Sequence, residues 1–222
     1  LQDYSAATSA YQRAVELNPK DLDARNNLGF LLVEAREPEK GIAQFQKVLA
    51  LDPNNATAHL NTAIAMYRKG EFDRAIAELN LVLAREPDLA IAHYNLGLAL
   101  KQKDNLDAAK LEFQKSIKLD PTLAEPHYAL GITHWQAGDF DEAATEMRTA
   151  VKLSPSYAEA HYMLGTALKQ QGDLDGAIAS LKEAIRLNPN TPGPYSTLGQ
   201  ILRIKGDLEG SGRALAEAAK IQ

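Results

Sequence analysis

Four histidines, His59, His93, His127 and His161, are spaced 34 residues apart. Imidazole is a common transition-metal ligand, so such a set raises the question of a zinc site. Zinc ligands must converge to about 2 Å from a single ion. Residues repeated once per structural unit instead lie about 10 Å apart, one helix layer from the next. The column is therefore read as packing, and no metal ligand is assigned. His134 stands apart and carries no partner pattern. Asn27, Asn61 and Asn95 share the same spacing, then give way to Ala129, Met163 and Thr197. An amide both donates and accepts, so it can hold a peptide backbone whatever the side chains attached to it. No phosphate-cradling G-x-x-x-x-G-K-[ST], no G-x-S-x-G and no H-E-x-x-H occurs. Cysteine is absent, which removes thiol nucleophiles and disulfides and leaves the redox compartment open. The chain is read as non-catalytic, with no catalytic residue, metal or cofactor.

The elements that position these side chains repeat with the same period. Pro19, Pro53, Pro87, Pro121, Pro155 and Pro189 mark it. A fixed period of this length means stacked copies of one unit. Each unit reads as two amphipathic helices, A then B. In residues 124–157, Gly138 suits a helix C-cap and Asp139 an N-cap, and they divide the pair. Phe140, Ala143, Met147, Ala150 and Leu153 then recur at three- and four-residue spacing on one face of helix B. Gly70, Gly172 and Gly206 make the same break, with Glu37-Pro38 and Asp104-Asn105 in the two units that lack glycine there. Gly29, Ala63, Gly97, Gly131, Gly165 and Gly199 keep the middle of helix A small. A mid-helix glycine costs about 1 kcal/mol against alanine, so the column predicts close approach to a neighbouring helix backbone. The last helix, with Gly210 and Gly212, is expected to be weak. The first, with Tyr4, Tyr11 and Val15, is expected to lack cover.

Leu-Gly in helix A, alanine and a bulky residue in helix B, and the closing proline resemble the tetratricopeptide repeat over nearly the whole chain. The resemblance implies an all-α, right-handed superhelical solenoid of stacked antiparallel helix pairs, about thirteen helices in one domain over residues 1–222. Residues 1–21 supply helix B of a partial repeat. Full repeats are expected at 22–55, 56–89, 90–123, 124–157 and 158–191, with an incomplete one at 192–222. The resemblance also implies that helices A line a concave groove. Asn27, Leu60, Asn61, Ile64, Tyr67, Ile91, Tyr94, Asn95, Leu98, Lys101, Tyr128, Ile132, Trp135, Tyr162 and Lys169 would face it. The carboxylate clamp of co-chaperone repeats is not reproduced. Its lysine and asparagine positions hold residues such as Asn26, Leu60, Tyr94, Phe30 and Ile64.

An apolar and aromatic band on a concave surface predicts a scaffold that holds a protein or peptide segment. Two alternatives stand beside it: a substrate-recruiting segment of a larger enzyme, and homo-oligomerisation through uncovered end helices. Formal net charge is −5, from 24 basic and 29 acidic side chains, which disfavours nucleic-acid backbones. No apolar run approaches the roughly 18 residues of a membrane helix, so membrane insertion is not expected. Compartment is left open, with the cytoplasm expected. Leu1 falls within a repeat, so a targeting segment upstream stays compatible with a periplasmic or secreted location.

Overall fold

The computed structural model describes residues 5–221, and the chain divides into two compact units, residues 1–119 and 120–222. The first unit holds α1 (Ser5–Leu17), α2 (Leu22–Glu34), α3 (Pro38–Leu51), α4 (Ala56–Arg68), α5 (Phe72–Leu83), α6 (Ala90–Gln102) and α7 (Leu106–Leu119). The second holds α8 (Ala124–Ala137), α9 (Phe140–Leu153), α10 (Ala158–Gln171), α11 (Leu174–Leu187), α12 (Pro192–Ile204) and α13 (Leu208–Ile221). The described residues thus form thirteen helices and no strand. Tyr4 lies outside them, whereas Tyr11 and Val15 on α1 are half-buried, and α1 has no fully buried residue.

Within each unit each helix packs on the next in the chain, and the pairs α2–α3, α4–α5, α6–α7, α8–α9, α10–α11 and α12–α13 are helical hairpins. Within the first unit α2 packs on α4 and α4 on α6; within the second, α8 packs on α10 and α10 on α12. Among the described residues, successive B helices within a unit do not approach one another at backbone level. The A helices therefore form the inner layer of each unit, and the B helices splay apart outside it.

All six hairpin turns use one left-handed residue. Gly70, Gly138, Gly172 and Gly206 have φ between 78° and 87°. The two exceptions are Arg36 at φ 64° and Asp104 at φ 60°. A side chain in this region is disfavoured by about 1 kcal/mol, less for aspartate. Glycine at Arg36 is expected to stabilise the protein by about 0.5–1 kcal/mol, with a smaller gain at Asp104. Urea unfolding of each variant checks this, and a loss at both positions would refute it.

The small column in helix A faces a side chain of its own hairpin rather than, as the sequence suggests, chiefly a backbone. A Cβ added at Gly97 would lie 2.5 Å from Cε1 of Phe113, and Gly29 is likewise covered by Phe45. Gly131 faces Met147 and Gly165 faces Leu181, here with a carbonyl oxygen also close. Where helix A carries Ala63 instead, the partner position is Leu79. Gly210 is not in a helix interior. It is the third residue of α13, and its N–H donates to Asp207 Oδ1 at 2.8 Å, so the N-terminal turn of α13 is capped. Phe45, Leu79, Phe113, Met147 and Leu181 are at most 1% exposed, whereas Leu215 in the same column is 43% exposed. Leu208 is exposed beside it on α13, so the last hairpin carries an uncovered apolar edge.

Candidate functional site

Each histidine of the column lies between the two helices of its own hairpin. His59 Nδ1 is 2.5 Å from Glu78 Oε2, and its Nε2 is 3.1 Å from the Pro53 carbonyl oxygen. His93 repeats this with Glu112 at 2.5 Å and the Pro87 carbonyl at 2.8 Å. His127 meets Glu146 at 2.6 Å. All three rings are buried. Carbonyl and carboxylate oxygens are both acceptors. His161 keeps the carbonyl bond, to Pro155 at 3.0 Å, but Ser180 occupies the glutamate position. In the first hairpin Arg25 plays both parts, donating to the Pro19 carbonyl at 2.8 Å and to Gln44 at 3.1 Å. The column thus ties helix A to helix B and to the preceding loop. Among the described residues no group of His, Asp and Glu is placed to hold a metal. His134, without a partner pattern in the sequence, lies 3.3 Å from Asp139 Oδ2.

Side chains of the predicted groove lie on the inner helices, partly covered by their own unit. In the first unit Leu60, Ile64 and Tyr67 run along α4, and Tyr94, Leu98 and Lys101 along α6, all half-buried. In the second, Tyr128, Ile132 and Trp135 do so on α8, with Tyr162 and Lys169 on α10, again half-buried. Ile91 is exposed. The aromatic rings lean on neighbours, Tyr67 on Phe72 at 5.6 Å between centroids and Trp135 on Phe140 at 4.8 Å. Tyr94 meets Phe113 at 6.1 Å, and Tyr128 meets Tyr157 at 4.8 Å. One side of each ring is thus fixed by the fold. Burial, and then the Glu159 carboxylate, push the Tyr128 hydroxyl above the usual tyrosine range.

The three asparagines differ among themselves. Asn27 is exposed and Asn61 is half-buried. The amide nitrogen of Asn95 donates to the Ile91 carbonyl of its own helix at 2.7 Å, so one of its donors is used internally. The neighbouring Asn26, buried on α2, donates to Asn55 Oδ1 at 3.2 Å.

Cations near the inner face are mostly partnered. Arg68 reaches Glu34 at 2.5 Å. Lys69 bridges Glu71 at 2.8 Å and Glu39 at 3.2 Å. Lys103 pairs with Asp73 at 3.0 Å, and Lys169 donates to Gln200 at 2.6 Å. Lys101 is different. It is half-buried in the last turn of α6, and its ammonium has no hydrogen-bond or ion-pair partner among the described residues. Burial pushes its ammonium below the ordinary lysine range. The carboxylates of the histidine column and the isolation of Lys101 were both missed in the sequence. The first had a signal, since Glu78, Glu112 and Glu146 each follow their histidine by the same interval.

Four sequence profiles described as tetratricopeptide repeat match residues 10–43, 32–100, 90–123 and 128–192. With the repeating hairpins, they establish that the chain belongs to the tetratricopeptide repeat family. Comparison with curated proteins gives no match. Among solved structures, one of MamA is 26% identical with a TM-score of 0.67, covering 72% of this chain and 93% of MamA. The Cut9–Hcn1 hetero-tetramer of the APC/C shares the fold with a TM-score of 0.85 at 19% identity, over 99% of this chain and 43% of that one. YrrB, described as a TPR protein with an unusual peptide-binding site, is 23% identical with a TM-score of 0.61, covering 90% and 99% of the two chains.

Proposed function

We propose that this chain is a non-catalytic scaffold that binds protein or peptide segments on the inner faces of its helix hairpins. The observation that carries the reading is the half-buried apolar and aromatic stripe on successive A helices: Leu60, Ile64 and Tyr67 beside Tyr94 and Leu98 in one unit, and Tyr128, Ile132 and Trp135 beside Tyr162 in the other. Rings held on one side by the fold lose little rotamer freedom on binding, which is what makes tyrosine and tryptophan effective anchors. Successive A helices that touch at backbone level supply a continuous surface. The peptide-binding site named for YrrB supports the reading by analogy of fold.

The test is capture from native host lysate on the wild type, on Tyr94→Ala and on Trp135→Ala, each checked for equal helicity. Proteins held by the wild type should be lost from one or both variants, with tenfold or greater weakening for an anchor worth about 2 kcal/mol. An identical catch on all three would overturn the proposal.

A further inference from the structure

We propose that the inner face of the first unit selects a segment bearing an acidic side chain about three residues from an apolar one, with Lys101 as the counter-charge. This rests on the binding role proposed above and specifies the ligand chemistry. Tyr94, Leu98 and Lys101 stand at i, i+4 and i+7 on α6, one above another on a single stripe. The stripe is apolar at its start and cationic at its end. Lys101 is half-buried there, and no acidic group of the described chain answers it. A lysine that only needed solvation would extend into water on its flexible stem, as long cationic side chains usually do.

The other charges on this face do not compensate it. Glu34 is held by Arg68 at 2.5 Å, and Asp23 lies exposed in the first turn of α2. The lowered pKa of Lys101, caused by burial, has the direction expected of a cation lacking an anion. An incoming carboxylate would offset that desolvation through a charge-assisted hydrogen bond. Tyr94 and Leu98 stand where the co-chaperone clamp would have lysine and asparagine, and Lys101 lies outside the clamp's positions, so this is a distinct anionic subsite. Its spacing follows from geometry. Seven helical residues rise about 10 Å, and an extended segment covers that length in about three residues.

Selection of short random peptides on beads, followed by affinity measurements on resynthesised binders, tests the inference. Peptides retained by the wild type should carry Asp or Glu about three residues from an aliphatic or aromatic side chain. Replacing that acid by its amide should weaken binding to the wild type about tenfold. The same replacement should leave binding to Lys101→Met unchanged, while Tyr94→Ala should weaken both peptides. Equal thermal unfolding of Lys101→Met and wild type would establish that the fold is retained. If the selected peptides show no acid, or if the amide swap weakens both proteins alike, the acidic subsite is overturned while the binding face stands. Indifference to Tyr94→Ala overturns the binding face itself, and a selection that retains no peptide overturns both.

Discussion

Alanine at Phe113 is expected to lower the free energy of unfolding by about 4 kcal/mol, the middle of the range for aromatic truncations. The ring is 0% exposed, lies over the bare backbone of Gly97, and tilts against Tyr94 at 6.1 Å. Nothing nearby can collapse into the space without moving α6 against α7. The reciprocal change is also costly. A methyl at Gly97 would meet Phe113 Cε1 at 2.5 Å, and overpacking of this kind costs about 1–3 kcal/mol. The neighbouring hairpin shows the remedy, because Ala63 there is matched by Leu79. Gly97→Ala combined with Phe113→Leu should therefore be more stable than Gly97→Ala alone. Urea unfolding measures all four proteins. Hydrogen exchange then locates the loss, which should concentrate in α6 and α7 and their neighbours because coupling in a repeat stack is local. A loss below about 1 kcal/mol for Phe113→Ala would show that the site relaxes freely.

Removing the carboxylate that faces His93 should cost almost as much. Glu112→Met leaves the buried His93 ring without the group 2.5 Å from its Nδ1, and also strips Lys115 of its 2.7 Å bond to Glu112. Leaving a buried hydrogen-bonded group without its partner costs about 1–3 kcal/mol, and the upper figure is expected here because Glu112 also holds Lys115. Replacing both partners, as His93→Leu with Glu112→Met, should recover most of the loss, since two apolar residues need no partner. The expected cycle is thus strongly non-additive. His161 is an internal control, as Ser180 stands where the other three histidines have their hydrogen-bonded glutamate. His161→Leu should cost only about 1 kcal/mol, the worth of one ordinary hydrogen bond. Additive losses at His93 and Glu112 would mean that the two side chains act independently, and the clasp would be refuted.

The helical hairpins were legible because their causes are local. A proline fixes each loop, glycine or a short polar residue permits the left-handed turn, and a three- and four-residue apolar spacing marks each helix. Even so, the turn hid its uniformity. Arg36 and Asp104 adopt the glycine conformation with side chains that do not advertise it. The histidine column was legible as a packing feature from its spacing alone. Its partners were not, because Glu112 reads as one more acid on an amphipathic helix until α6 and α7 are folded together. Similarly, the small residue at Gly97 implied a close neighbour, but only the hairpin shows that the neighbour is Phe113. On the inner face the sequence marked the aromatic stripe, whereas it could not show which cations are partnered. Arg68 and Lys101 look alike in the chain, yet one meets Glu34 and the other stands alone.

The ring over glycine, the histidine–glutamate pair and the left-handed turn share a property: each joins an A helix to the B helix that follows it. By contrast, Glu39–Lys69, Asp73–Lys103 and Glu34–Arg68 join one hairpin to the next through solvent-facing charges, which are weak and tolerant of substitution. Recombination between copies is therefore not equally harmless everywhere. A crossover at the turn between α4 and α5 that imported α7 would set Phe113 against Ala63 and drive a methyl into the ring, whereas one in the proline loop would carry every matched pair across intact. The inheritable module of such an array is the whole hairpin, and its lineage can lengthen or shorten by hairpins while its individual helices remain bound to their partners.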